Sequence, residues 1–364
     1  MKAHITGVRI RGICATVPSH VSRFEDELKY FPFPEKSSRR LGKVMGFKEH
    51  RIADPQTTPC DLASYTLDYL FQKNFLVREK LSAIIVVAQQ VDHPIPGNSK
   101  VIHGQLDLSR NTHCVDMYEN CTGFISGLYA ASCFVAGGLD EVAVVTTDAG
   151  ACYGNIKDRN TYPIGGDAAG VAVVCKSNNP EDRISFVFQH DGSRRDALIV
   201  PAGGMRMPRS AETAQIRQDA TGNFRSLEHL HMDGTAVFQF VMEEVPPLVE
   251  EACVYAGIAK DDIEFYLTHQ PNRFMLEKLA DLMHVPREKL FNNVVEHFGN
   301  SSPSTIPVNI AYNLGTQLLT KKHLVCFSAF GAGLSLACAI GHLGNLDFCD
   351  FIEHPGKGAI HYGE

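Results

Sequence analysis

An α/β fold made of two similar halves is the expectation for this 364-residue chain, and three features of the sequence carry it. Segments 81–88, 113–117, 141–146 and 169–175 are near-continuous in Val, Ile and Ala, which suits parallel strands covered on both faces. Helical stretches at 61–74 and 122–136 fall between them, the alternation of an α/β protein. The same order then recurs, with strands at 263–268, 290–295, 324–328 and 334–340 and helices at 236–256 and 304–314. Ile85 matches Phe265, Val115 matches Asn293 and Val144 matches Val325, at offsets of 180, 178 and 181. A near-constant offset predicts an internal duplication about a pseudo-dyad.

The duplication divides the chain into a first half over 1–176 and a second over 231–364. Between them, 177–230 is richer in Arg, Gly, Pro and polar residues and has weak periodicity, so it reads as a connector that shapes the substrate entrance. At this length a 44% apolar content supports a large core. The net charge of −7, from 34 basic and 41 acidic residues, argues against a polyanion-binding surface, and nucleic acid is not an expected partner.

Eleven cysteines with no CxxC pair and no metal-ligand spacing predict free thiols and no metal. Met1-Lys2-Ala3-His4 has no apolar signal core, and a reducing, cytoplasmic compartment is expected. Cys253, Cys326 and Cys338 sit in apolar runs and read as small core residues. Stretches 121–139 and 324–343 are long and apolar enough to raise a membrane span. The Gly, Ser and Ala of the first and Gly331-Ala332-Gly333 in the second favour buried elements of a soluble protein instead.

Three residues stand out chemically. Cys121, in Tyr118-Glu119-Asn120-Cys121-Thr122-Gly123-Phe124, lies where a strand turns into a helix. Gly123, Ser126, Gly127, Ala130 and Ala131 then line one face of that helix, so it packs closely in the middle of the molecule with its N-terminus at a cavity. The macrodipole there favours a thiolate, and thiols so placed have pKa values as low as roughly 3.5–7.5. His269, in Thr268-His269-Gln270-Pro271-Asn272, follows a buried strand, and the carboxyl ends of such strands are where open α/β sheets put their chemistry. Asn300, in Gly299-Asn300-Ser301-Ser302-Pro303, is by the duplication the counterpart of Cys121, after the second strand of its half and heading the next helix.

With their flanks, these segments resemble the ketoacyl synthase III branch of the thiolase superfamily. Cys121-Thr122-Gly123-Phe124 is similar to the family's nucleophile motif, His269-Gln270-Pro271-Asn272 to its histidine motif and Gly299-Asn300-Ser301-Ser302 to its asparagine motif. Ile164-Gly165-Gly166-Asp167 resembles the glycine-rich turn that ends the first half, Met232-Asp233-Gly234-Thr235 the start of a second-half helix, and Phe330-Gly331-Ala332-Gly333 the C-terminal glycine loop.

The resemblance implies a thiolase-like, five-layered αβαβα fold and a homodimer. It implies that Cys121 accepts an acyl group from a coenzyme A or acyl-carrier-protein (ACP) thioester, with the oxyanion held by the N–H groups of Cys121 and Gly333. Malonyl thioester then loses carbon dioxide, and His269 and Asn300 stabilise the enolate that attacks the acyl-cysteine. Arg51 and Asn272 are the implied substrate-binding residues, acyl-CoA or acyl-ACP, malonyl-ACP or malonyl-CoA and ACP itself the partners, and no permanently bound cofactor is needed. Two features depart from the pattern: Tyr118-Glu119-Asn120 precedes the nucleophile where small residues are usual, and the chain has no Trp for a coenzyme A adenine. The competing activity on this fold is acyl transfer to a hydroxyl or amine without decarboxylation. A papain-like hydrolase is disfavoured by the absence of Cys-Gly-Ser-Cys-Trp.

Overall fold

The computed structural model of the chain describes residues 1–180 and 182–356. Its two main sheets are built from β1 (Lys2–Thr6), β2 (Val8–Pro18), β3 (Ala83–Ala88), β4 (His113–Tyr118), β5 (Glu141–Ala149), β6 (Asp167–Lys176), β7 (Arg183–His190), β8 (Phe265–Thr268), β9 (Lys322–Gly331), β10 (Ser335–Gly344) and β11 (Phe348–His354). One sheet has the order β11-β2-β6-β5-β3-β4 and the other β1-β7-β10-β9-β8.

The duplication is visible in the pairing. Along β2-β6-β5-β3 the neighbours are antiparallel, antiparallel and parallel. Along β7-β10-β9-β8 the sequence of orientations is the same. The terminal strands cross over: β1 pairs with β7 in the second sheet, and β11 pairs with β2 in the first. Each sheet therefore holds a strand from the far end of the chain. The segment 177–230 contributes a main-sheet strand, β7, before its irregular portion begins.

The helices that cover the sheets and position the site are α1 (Pro59–Gln72), α2 (Gly123–Ala136), α3 (Gly234–Ala256), α4 (Arg273–Leu282), α5 (Val294–Phe298) and α6 (Thr305–Asn313). α1 starts at a capping box between Thr58 and Asp61 with Pro59 in its first turn. It lays Ala63, Leu67 and Leu70 on Ile84, Val145 and Val173 at the outer face of the first sheet. α3 starts at Asp233, whose Oδ1 accepts from the N–H groups of Thr235 and Ala236, and lays Val241, Val245 and Leu248 on Cys326, Cys338 and Ile340 outside the second sheet. Between the sheets lie α2 and α6, whose Phe124, Leu128, Ile306 and Ile310 pack with Val87, Val144, Phe186 and Phe327. The result is five layers, αβαβα.

One expected strand does not form. Residues 290–293 form no regular element, and 294–298 form α5. Asn292 and Asn293 are poor strand formers, and side chains take over their ladder: Gln270 Nε2 donates to Phe291 O at 2.7 Å, and the Asn293 and Asn313 amides donate to each other at 2.8 and 3.0 Å. Among the described residues no helix is long and apolar enough to cross a membrane.

The stripe of small residues on α2 is used for close approach. A Cβ on Gly127 would lie 2.7 Å from Val144 Cγ1 and 3.0 Å from Val87 Cγ2, atoms of the sheet beneath it. Gly127→Ala is therefore expected to destabilise by about 1–3 kcal/mol through overpacking, despite the higher helix propensity of alanine. Calorimetry that finds the variant as stable as the parent, or more so, contradicts this packing.

Candidate active site

Cys121 lies between the end of β4 and the start of α2, two residues outside the helix. Gly331, at the end of β9, packs against it so closely that a Cβ there would lie 2.6 Å from Sγ. His269 follows β8 and Asn300 follows α5. These residues, with Asn272, Asp148, Ser302 and Ala332, line one cleft with an empty volume of about 1080 Å³, mouth included. Its remaining wall is largely apolar, with Leu198, Val200, Met232 and Phe330 among the lining side chains. That mixture of greasy wall and a few convergent polar groups is what a small-molecule site requires.

The loop carrying Asn300 is pinned from the other half. Asn300 N donates to Ile164 O at 2.6 Å, and Gly166 N donates to Asn300 O at 3.2 Å. Gly299, at φ +77°, would place a Cβ 2.6 Å from Gly165 O, so only glycine fits. Asn300 Oδ1 accepts from Ser302 N at 2.8 Å, which fixes the carboxamide and leaves its NH₂ as the group presented to the cleft. His50 supports the opposite side: Nδ1 donates to Gly165 O, and Nε2 meets Glu27 Oε1 at 2.6 Å. Burial lowers the affinity of this imidazole for a second proton, but Glu27, Gly165 O and Asp167 together more than offset it and the pKa is raised.

His269 is 1% exposed, and burial pushes its pKa down to about 3. The imidazole is neutral. Nδ1 lies 2.7 Å from Thr305 Oγ1, which also receives Gln270 N–H. The Thr305 hydroxyl also reaches Ser302 O at 3.0 Å; when its proton is turned to Nδ1 instead, the imidazole carries its own proton on Nε2.

The thiol departs from expectation. Burial, chiefly, pushes Cys121 up to about 11, and Asp148 adds to the rise; Ser302, the N–H of Ala332 and its own N–H act the other way. The residue lies before the helix rather than on it, and desolvation of a thiolate outweighs these donors. Glu119 does not line the cleft, and its Oε1 accepts from Asn120 N at 3.3 Å. Asp148 is the carboxyl at the thiol, and burial together with Asp167 pushes it up to about 7.

Two expected residues lie elsewhere. Gly333, at φ +141°, does not line the cleft; the N–H facing Cys121 is that of Ala332. Arg51 is committed to the strand ends, donating to Pro18 O and to Glu353 Oε1, each at 2.9 Å. Asn272 lines the cleft while also capping α4, its Oδ1 accepting from Met275 N at 2.8 Å. Asp148, Ser302, Thr305 and Ala332 were not singled out in the sequence. Asp148 had a signal, as the acid that ends the buried run Val142-Ala143-Val144-Val145-Thr146-Thr147-Asp148.

Residues 115–192 match the family model for 3-oxoacyl-[acyl-carrier-protein (ACP)] synthase III, and residues 253–343 match the model for its C-terminal part. A putative 3-oxoacyl-[acyl-carrier-protein] synthase 3 of Campylobacter jejuni is 30% identical over 341 residues, covering 93% of this chain and 95% of that one. A beta-ketoacyl-[acyl-carrier-protein] synthase III of Syntrophomonas wolfei is 32% identical over 329 residues, 90% of this chain and 95% of that one. The chain belongs to the 3-oxoacyl-ACP synthase III family. The crystal structure of a 3-oxoacyl-(acyl-carrier protein) synthase from Burkholderia xenovorans superposes with a TM-score of 0.89 at 28% identity, over 97% of this chain and 99% of that one. Fold and reaction class follow: a thiolase-like acyltransferase that performs decarboxylative Claisen condensation of two thioesters.

Because Arg51 holds strand ends rather than substrate, Arg51→Ala is expected to lower stability by about 1–3 kcal/mol, the worth of hydrogen bonds from a charged donor, and to leave KM for both thioesters within about twofold. A KM raised tenfold without loss of stability contradicts this assignment.

Proposed function

We propose that Cys121 takes an acyl group from a coenzyme A or carrier-protein thioester and that the same cleft joins it to a malonyl unit presented on ACP. The observation that carries this reading is the convergence of a thiol, a neutral imidazole and an oriented carboxamide on one largely apolar cleft. The thiolate attacks the donor carbonyl, and the N–H groups of Cys121 and Ala332 take the oxyanion. Ala332 replaces Gly333 in this role because it is the loop residue in the cleft wall.

Malonyl thioester then enters with its thioester oxygen against His269 Nε2–H and the Asn300 NH₂. Loss of carbon dioxide puts negative charge on that oxygen, where two neutral donors stabilise it without protonating it. The enolate carbon attacks the acyl carbonyl, the carbon–sulfur bond to Cys121 breaks, and the sulfur is released. Every step uses side chains and backbone donors of this chain, and the reading calls for no permanently bound cofactor.

A homodimer fits the edge of the first sheet, where β4 has one side unpaired among the described residues and Tyr118 is 81% exposed. A reducing cytoplasm fits eleven free cysteines.

Intact-mass measurement after exposure to acyl thioesters, with carbon dioxide release on adding malonyl thioester, tests the scheme. The parent is expected to gain one acyl group, and Cys121→Ala none. His269→Ala and Asn300→Ala are expected to keep the acyl adduct while condensation falls about 10²–10³-fold, the usual cost of one oxyanion donor. With the imidazole neutral above about pH 3, condensation by pre-acylated enzyme is expected to show no histidine titration between about pH 5 and 8. An adduct on Cys121→Ala, or product without carbon dioxide release, overturns the scheme.

A further inference from the structure

Asp148 has no part in the scheme so far, yet it lines the reaction cleft at 0% exposure. Gln89 Nε2 donates to its Oδ2, the Gln90 and Ser302 side chains bear on the same carboxyl, and Oδ1 has no well-formed hydrogen bond among the described residues. Between it and the nucleophile stands Ser302. The Ser302 Oγ lies 3.8 Å from Cys121 Sγ, and the same hydroxyl bears on the Asp148 carboxyl. Ser302 is held there at φ +52°, a left-handed conformation that costs a serine energy, by the hydrogen bond from its N–H to Asn300 Oδ1. Strain of that kind, next to a reacting atom, points to a placed side chain.

We propose that Asp148, acting through the Ser302 hydroxyl, accepts the Cys121 proton as the thiol attacks the donor thioester. In this step the S–H bond breaks, the proton passes to Ser302 Oγ, and the Ser302 proton passes to the Asp148 carboxylate. The S–C bond to the acyl carbon forms, and collapse of the tetrahedral intermediate breaks the bond to the donor's sulfur. The proton returns along the same path to the departing thiolate, which leaves as a thiol. No net proton is consumed.

The electrostatics support this route. A thiolate and a carboxylate in one desolvated site repel, so each is stabilised when the other holds the proton. Asp148 raises the thiol's pKa as long as it is charged, and it stops doing so once it is protonated. At about 7 it is also a far better acceptor than His269 at about 3. The charged neighbour of Asp148 is Asp167, held by the N–H groups of Ala53 and Ala151; Tyr153 in the cleft wall and Cys152, exposed beside it, are neutral neighbours whose pKa values are raised.

The inference rests on Cys121 being the acyl acceptor, and the test separates the two. Parent enzyme that gains no acyl group fails that reading, whereas the relay is judged only on variants of enzyme that acylates. Quenched-flow acylation is expected to slow about 10²–10⁴-fold in Asp148→Asn and Ser302→Ala, the range for a lost proton acceptor. Decarboxylation of malonyl thioester by the same variants is expected to change less than about threefold, which a general loss of site structure does not permit. Iodoacetamide alkylation of Cys121 in the parent is expected to rise to a shoulder near pH 7 and climb again above about pH 10, and Asp148→Asn to lose the shoulder. Should Asp148→Asn fold poorly, Ser302→Ala, which leaves the carboxyl in place, carries the same test. Acylation at the parent rate in either variant overturns the relay. So does faster alkylation of Asp148→Asn at neutral pH, the result if Asp148 only repels the thiolate.

Discussion

The site depends on a backbone-to-backbone contact between the two halves, Gly165-Gly166 against Gly299-Asn300. Gly299 has no room for a Cβ beside Gly165 O, and a Cβ on Gly166 would overlap Phe298 O. The contact is a one-residue parallel bridge, and it brings the turn before β6 onto the loop before α6. Without glycine on both sides the loop that presents Asn300 has to retreat from the cleft. His50 and Glu27, buried behind Gly165, hold the same turn from the first half.

From that anchored point the loop serves three chemical groups in six residues. Asn300 presents its amide, Ser302 reaches the thiol, and Thr305 holds the imidazole. Each is locked by another: Asn300 Oδ1 receives Ser302 N, and Thr305 Oγ1 lies 3.0 Å from Ser302 O. The order of the five layers explains why this short segment matters. It sits at the head of α6, between the sheets, where both halves of the duplication open onto one space.

The repeated order of strands and helices was legible, and Cys121, His269 and Asn300 could be picked out as candidates, because periodicity and strand-end position are local properties. Buried runs such as 83–88 announce themselves by composition, and Cys121, His269 and Asn300 are polar residues next to such runs or their structural equivalents. The crossed terminal strands were not legible, since the partners of β1 and β11 lie far away along the chain, in the other half. Nor was the false strand at 290–295, where side-chain amides replace ladder hydrogen bonds. Arg51 and Gly333 were misplaced for a simpler reason: composition says that an arginine or a loop glycine is present, and only the fold says which way it faces. Asp148 is the costliest omission, because its burial beside the thiol is a tertiary fact.

One environment must serve two opposed electrostatic demands. Acyl transfer needs negative charge on sulfur, whereas holding an enolate needs donors that stay neutral and do not quench it. Desolvation meets the second demand directly, since a buried imidazole far below its ordinary pKa donates a hydrogen bond without surrendering a proton. The same desolvation works against the first, lifting the thiol to about 11. A helix N-terminus alone does not settle the conflict here, because Cys121 lies outside the first turn of α2. A proton acceptor of intermediate affinity, reached through a hydroxyl, does: it keeps the total charge of the pocket constant while the sulfur becomes nucleophilic. Asp148 fits that requirement because burial and a second buried carboxyl, Asp167, outweigh its donors Gln90, Gln89 and Ser302 and keep it from being held as a fixed anion.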